Sequence, residues 1–404
     1  MSTSLLFHGF GIKGYEYSRT EYIGGEITFK IKQNPLKHRC PICNSRNINR
    51  RGQVERSFRA LPIGSKPVTI VLGIKRVYCK CCNVLRQVKV GFADSQRSYT
   101  KAFGRYALEL SRHMTIKDVA DHLNITWDVI KEIQKRYLKK KFAKPKLKKL
   151  RHIAIDEISI GKGQKYLTVV LDLKSGAVVF VGDGKGAEAL TPFWKRLKCS
   201  KAKIEAVAID MSPAYISAVS KNLSKATIVF DHFHVIKLFN EKLSDFRRKL
   251  HSEATDVLQK DVLKGTRWLL LKNPENLKDE RNERQRLEEA LKLNKPLATA
   301  YYMKEELREI WKQKTKTEAE KLLKDWAKRA QSSGILMLMK FANTLLAHRS
   351  GILAYYDFRI STGPLEGTNN KIKTMKRQAY GFRDKEFLKL KIHAIHEAKY
   401  ALVG

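Results

Sequence analysis

The chain has 404 residues, 43% of them hydrophobic, which is enough for two to four domains with real cores. Eighty Lys and Arg against forty Asp and Glu leave a formal charge of +40, so a polyanion, and nucleic acid first, is the expected partner. With no long apolar run, signal peptide or lipidation motif, a membrane surface is set aside and a cytoplasmic location is expected.

In chain order, residues 1–95 read as a strand followed by a zinc ribbon. Ile27, Phe29 and Ile31 alternate with polar neighbours and predict a half-buried strand. Four of the six cysteines form two Cys-x-x-Cys knuckles, Cys40-Pro-Ile-Cys43 and Cys79-Lys-Cys-Cys82. That spacing predicts a structural Zn²⁺ on Cys40, Cys43, Cys79 and Cys82 rather than disulfides, with Cys81 able to replace Cys79 or Cys82. The 35 residues between the knuckles leave room for an extra hairpin.

Residues 96–140 predict a helix-turn-helix. Thr115 caps its first helix, whose inner face is Val119, Ala120 and Leu123. Asn124 makes the turn and Thr126 caps the second helix. Lys131, Gln134 and Lys135 are expected on the exposed side of that helix, facing DNA base edges. Residues 141–150 then form a Lys-rich linker suited to tracking phosphates.

From 151 to 240, strands are expected over 153–160, 166–173 and 177–182, a helix over 187–198, and strands over 204–210 and 227–231. Three hairpin-linked strands followed by alternating helix and strand match a ribonuclease-H-like α/β core. There the first and central strands end side by side, which brings Asp156 and Asp210 together across 54 positions. Asp231 closes the fifth strand, and His234, three residues on, can point to the same place; both are expected to orient ligands or bound DNA. Residues 241–355 read as helical throughout, an insertion into the core in which Trp268, Trp311 and Trp326 are expected to be buried.

In the last part, 356–404, Pro364 suits the first position of a helix and puts Glu366 in its first turn. Asn370, Lys373 and Arg377 follow at intervals of three and four on one face, an amide to support a metal and two cations for phosphates. Strand-end aspartates are common turn residues, and a helix N-terminus favours any acidic side chain. Together, however, Asp156, Asp210 and Glu366 supply the hard oxygen ligands that two Mg²⁺ or Mn²⁺ ions need for in-line phosphoryl transfer.

Taken in this order, the motifs resemble bacterial DDE transposases of the ISL3 insertion-sequence family. Besides the knuckles and the helix-turn-helix, they are Ile153-Ala-Ile-Asp-Glu157, Ala208-Ile-Asp-Met-Ser212, Phe230-Asp-His-Phe-His-Val-Ile-Lys237, Gly363-Pro-Leu-Glu-Gly-Thr-Asn-Asn-Lys-Ile-Lys373 and Tyr380-Gly-Phe382. The resemblance implies a catalytic triad of Asp156, Asp210 and Glu366. It also implies an all-helical insertion and recognition of the element's terminal inverted repeats, in double-stranded DNA, by the N-terminal half. Synapsis of two ends implies at least a homodimer on DNA, at the bacterial nucleoid. The fold expected is thus a multidomain α+β chain: zinc ribbon, helix-turn-helix, then a ribonuclease-H-like core interrupted by helices. The alternative is a DNA-binding regulator whose nuclease-like domain is silent.

Overall fold

Alternation of apolar and polar residues builds the first sheet, in the unit Met1–Lys141. The computed structural model describes residues 5–397 except 162 and 164. After a short helix α1 (Leu5–Phe10), strands β1 (Tyr15–Ile23), β2 (Glu26–Gln33), β3 (Ile48–Ile63) and β4 (Lys66–Cys79) run in the order β1-β2-β4-β3, and β5 (Val84–Gln87) pairs with β4. Ile27, Phe29 and Ile31 are buried as the alternation predicts, against Phe58, Ile70 and Ile74. The long β3–β4 hairpin, turned at Gly64 with φ +59°, fills the interval between the knuckles.

In the same unit lie α2 (Lys101–Leu110), α3 (Ile116–His122) and α4 (Trp127–Phe142). Thr115 caps α3 in a reciprocal box: its Oγ1 accepts from Asp118 N at 3.2 Å, and its own N–H donates to Asp118 Oδ2 at 3.2 Å. Asn124 makes the turn in the left-handed region, φ +48°. Val119, Ala120, Leu123, Ile130 and Ile133 form the core of the module. Arg59 ties it to the sheet, donating to Glu26 at 2.9 Å and to the Leu123 carbonyl at 3.0 Å.

The second unit is Phe142–Gly404. Its sheet consists of β6 (His152–Ser159), β7 (Tyr166–Asp172), β8 (Val178–Asp183), β9 (Ala206–Ile209) and β10 (Thr227–Phe230), in the order β10-β9-β6-β7-β8. β6, β7 and β8 are antiparallel, whereas β6, β9 and β10 are parallel, the ribonuclease-H-like arrangement. The expected helix over 187–198 divides into a 3₁₀ turn, Ala187–Leu190, and α5 (Thr191–Ser200), because Pro192 suits a fresh helix start. Helix α6 (Pro213–Asn222) follows β9.

Three expectations are corrected here. The fifth strand stops at Phe230, and Asp231, just past its end, caps α7 (His232–Glu253), so His234 lies in a helical first turn and the helical region starts before 241. The stretch 141–150 is no free tether, since Leu147 and Leu150 are buried in the core of this unit, although Lys144, Lys146, Lys148 and Lys149 are exposed. Among the tryptophans, Trp326 is fully buried and donates to the Met303 carbonyl at 2.8 Å. Trp311 is partly buried, but Trp268 is 66% exposed, with the Arg267 guanidinium 4.7 Å above its ring.

The insertion continues through α8 (Val257–Gly265), α9 (Arg267–Leu271), α10 (Glu283–Leu293), α11 (Lys295–Glu309), α12 (Lys316–Ser332), α13 (Leu336–Ala347) and α14 (Arg349–Leu353). The chain then returns to the sheet with α15 (Gly363–Gln378) and α16 (Lys385–His393). Their residues Leu365, Ile372, Leu388 and Ile392 pack on Ala154, Leu167 and Val169. Among the described residues, no helix is long and apolar enough to cross a membrane.

Candidate active site

Strand register places the aspartates. Ala154 of β6 pairs with Ala208 of β9, and Phe230 of β10 pairs with Ile209. Two residues beyond the first pair stand Asp156 and Asp210, and one beyond the second stands Asp231. Asp156, within β6 but past the end of its pairing with β9, is therefore level with Asp210 and Asp231, which stand just past the ends of β9 and β10, with matching side-chain parity.

Their environments differ. Asp156 is held at both oxygens: Oδ1 accepts from Glu157 N at 2.8 Å and Oδ2 from Asn369 Nδ2 at 2.9 Å. Burial pushes its carboxyl up to about 6; the Glu157 N–H and the nearby His234 oppose this, while the charges of Glu157 and Asp210 add to it. Asp210 is half-buried, and its Oδ1 accepts from Ser212 N at 3.0 Å.

Asp231 is only 2% exposed, and both of its oxygens are occupied. Phe233 N donates at 3.2 Å and His232 Nδ1 stands at 3.2 Å. Thr362 donates through N at 3.3 Å and also through its hydroxyl, and His234 Nδ1 lies at 3.6 Å. Burial would raise this carboxyl, but the bonds from His232, His234, Thr362 and Phe233 hold it well below the usual range. A carboxylate so fully bonded is a brace rather than a free ligand. Burial would lower the His234 pKa; the bond to Asp231 and the charges of Asp156, Asp231 and Asp210 raise it instead. The imidazole thus holds a proton more readily for standing among the aspartates.

Glu366 lies in the first turn of α15, half-buried, with Pro364 at the helix start as the sequence predicts. The amide that reaches Asp156 from this helix is Asn369. Asn370, to which sequence reasoning assigned that part, is exposed. Leu365, Thr368, Asn369 and Ile372 form the buried stripe of α15, so an i, i+3, i+4, i+7 reading of the apolar positions carries the missed signal. Lys373 and Arg377 are exposed farther along. The carboxylates are not drawn together to metal-ligand spacing: among the described residues, the only group of three or more such ligand atoms within 4.8 Å of one another is the cysteine cluster. The donor set nevertheless suits a hard cation, since it is all oxygen and Asn369 adds a buried Oδ1 with no partner.

The cysteine cluster is Cys40, Cys43, Cys79 and Cys82, with Cys40 to Cys82 and Cys43 to Cys79 both 3.5 Å. Burial pushes the Cys79 thiol up, but the Cys82 and Cys81 N–H groups outweigh it and bring it to about 6. Burial and the neighbouring thiols drive Cys82 up to about 12. Cys81 is exposed outside the cluster, 3.1 Å from Ser45 Oγ.

The α4 residues expected to face DNA divide. Lys131 lies 5.9 Å from the Trp127 ring and Lys135 is half-buried. Gln134 is only 4% exposed, contrary to expectation. Ile130, Ile133, Gln134 and Leu138 are the buried stripe of the helix, and Gln134 fills an inward position of that period.

Comparison with known proteins agrees with this architecture along the chain. Residues 153–392 match the ISL3-type family described as Transposase. Residues 88–138 match the helix-turn-helix domain of transposase family ISL3, and residues 37–82 match the zinc-finger of transposase IS204/IS1001/IS1096/IS1165. The chain is 31% identical over 393 residues to the transposase for insertion sequence element IS1001 of Bordetella parapertussis, covering 95% of this chain and 96% of that one. It is 27% identical to the transposase for insertion sequence element IS1557 of Mycobacterium tuberculosis, covering 90% and 87%. A solved Drosophila P element transposase strand transfer complex is 11% identical with a TM-score of 0.37, over 73% of this chain and 92% of that one.

Proposed function

We propose, since this chain belongs to the ISL3 family of DDE transposases, that Asp156, Asp210 and Glu366 are its catalytic carboxylates. The protein is an insertion-sequence transposase with a DNA-binding helix-turn-helix and a catalytic domain for metal-dependent phosphoryl transfer. The observation that carries the triad is the convergence of β6, β9 and α15. Asp156 on β6 and Asp210 just past β9 occupy corresponding positions of neighbouring parallel strands, and the helix of Glu366 is bonded to Asp156 through Asn369.

The carboxylates would hold two divalent cations, Mg²⁺ or Mn²⁺, whose charge would stabilise the attacking and leaving oxygens of an in-line displacement. Asp156 and Asp210 would hold both, and Glu366 would complete one shell. His234, braced by Asp231 and Thr362, would orient the ligands. Lys373 and Arg377 continue the exposed side of α15 and suit DNA phosphates. The reaction is hydrolysis of a phosphodiester at each element end, after which the freed 3′-hydroxyl attacks target DNA.

In the ribbon, Cys40, Cys43, Cys79 and Cys82 would hold Zn²⁺ as thiolates, the metal's charge compensating theirs. The N-terminal unit recognises terminal inverted repeats in double-stranded DNA, and two copies pair on DNA to join two ends. The site of action is the bacterial cytoplasm, at the nucleoid.

The test is incubation of the protein with DNA carrying the gene's own flanking sequence, with and without Mg²⁺. Metal-dependent nicks at the flanking repeats are expected. Tight binding without cuts would favour a regulator with a silent nuclease domain.

A further inference from the structure

We propose that Asn369 is a positioning residue of the divalent-metal site. Its Nδ2–H fixes the Asp156 carboxylate, and its Oδ1 accepts a hydrogen bond from a water of the bound cation. This rests on the reading of Asp156 as a metal ligand.

Asp156 has one donor on each oxygen, Glu157 N at 2.8 Å on Oδ1 and Asn369 Nδ2 at 2.9 Å on Oδ2. The two donors come from different elements, so together they stop rotation of the carboxylate while leaving a lone pair on each oxygen for a cation. Such orientation of a ligand by its neighbour is what tunes metal affinity.

The other half of the amide is the more telling observation. Asn369 is 5% exposed, and its Oδ1 is buried without a hydrogen-bond partner. A buried amide carbonyl is rarely left unpaired. Turning the amide over does not relieve it, because that would set the carbonyl against Asp156 Oδ2. The acceptor is therefore held beside the carboxylate. Mg²⁺ and its analogues keep several waters when bound by one or two carboxylates, and those waters are strong donors. A cation on Asp156 brings such a donor to Asn369, whereas Asn370, exposed at the next position, lies off the buried stripe.

The experiment measures Mn²⁺ binding to the full-length protein without DNA, by titration calorimetry and by the electron paramagnetic resonance of free Mn²⁺. Asn369→Ala and the volume-conserving Asn369→Leu should each weaken Mn²⁺ binding by about 10- to 100-fold. Zinc content and binding to the element ends should stay at wild-type levels. Mn²⁺ affinity within twofold of wild type in both variants would overturn the proposal. Asp156→Asn separates the two levels: wild-type Mn²⁺ binding in that variant would overturn the metal-site reading itself. Should both Asn369 variants misfold, wild-type crystals soaked in Mn²⁺ decide the matter. A water-bridged ion gives an anomalous peak within about 5 Å of Asn369 Oδ1. A peak at Asp156 lying farther than this from Asn369 would overturn the assignment.

Discussion

Thr362 donates both its backbone N–H, at 3.3 Å, and its hydroxyl to Asp231 Oδ2, a link across 131 positions. It closes the catalytic core over the helical insertion. Asp231 caps the helix that enters the insertion, and Thr362 immediately precedes the helix that follows it and bears Glu366. The His234 ring, 3.2 Å from the Thr362 hydroxyl, joins the same brace.

Replacing Thr362 by Val keeps the shape and removes the hydroxyl donor to a buried carboxylate. The expected loss of stability is about 1–3 kcal/mol, read from urea unfolding. End cleavage should fall by more than end binding, because the change lies one turn before Glu366. Unaltered stability together with unaltered cleavage would show that the brace is dispensable.

The geometry separates Cys81 from the four clustered thiols. Cys82→Ser should lose most of the bound zinc and weaken end binding, whereas Cys81→Ser should keep both. Metal analysis of the purified variants checks this; equal zinc in the two would contradict the four-cysteine ribbon.

His393 provides a pH signature of its own. Burial lowers its pKa from 6.5 to about 4, and it lies 3.3 Å from the Val178 carbonyl. The unfolded chain therefore binds the extra proton between roughly pH 6.5 and 4, and the native state loses stability as pH falls through that window. The full effect is about 3 kcal/mol, reached below pH ~4. Melting followed against pH should show the loss, and His393→Gln should flatten that part of the profile. An unchanged slope in the variant would place the titration elsewhere.

Lys373 and Arg377 are exposed on α15, so Lys373→Ala and Arg377→Ala should weaken DNA binding about equally for all sequences. Each should reduce the salt dependence by about one phosphate contact. Gln134→Ala, by contrast, should alter stability and leave base preference unchanged, since Gln134 is buried. Binding titrations at several salt concentrations distinguish the two behaviours.

Much of this architecture is legible from residues alone, for physical reasons. The aspartates Asp156 and Asp210 end short, continuously apolar runs, buried on both faces, and strand pairing leaves little freedom in their placement. The cysteine spacing and the Thr115 and Pro364 helix starts are equally local signals. The errors fall where one helical position changes the face. Asn369 and Asn370 are adjacent residues separated by about 100° around the helix, and only the first joins the buried stripe. Gln134 is polar in an apolar stripe, so its type argues for the surface and its period for the interior. Asp231 ends an apolar strand and also caps a helix, and its second role depends on Thr362, far away in sequence. The Lys-rich stretch 141–150 looks solvated by charge, while its two buried leucines are spaced too sparsely to announce a core contact.

The central claim is that Asp156, Asp210 and Glu366 act together on DNA held by the rest of the chain. Its most direct test is end cleavage in Mg²⁺ measured beside end binding for Asp156→Asn, Asp210→Asn and Glu366→Gln. Each variant should bind the inverted repeats within a few-fold of wild type and lose cleavage by several orders of magnitude. Cleavage at wild-type rate by any one of them would contradict its place in the triad.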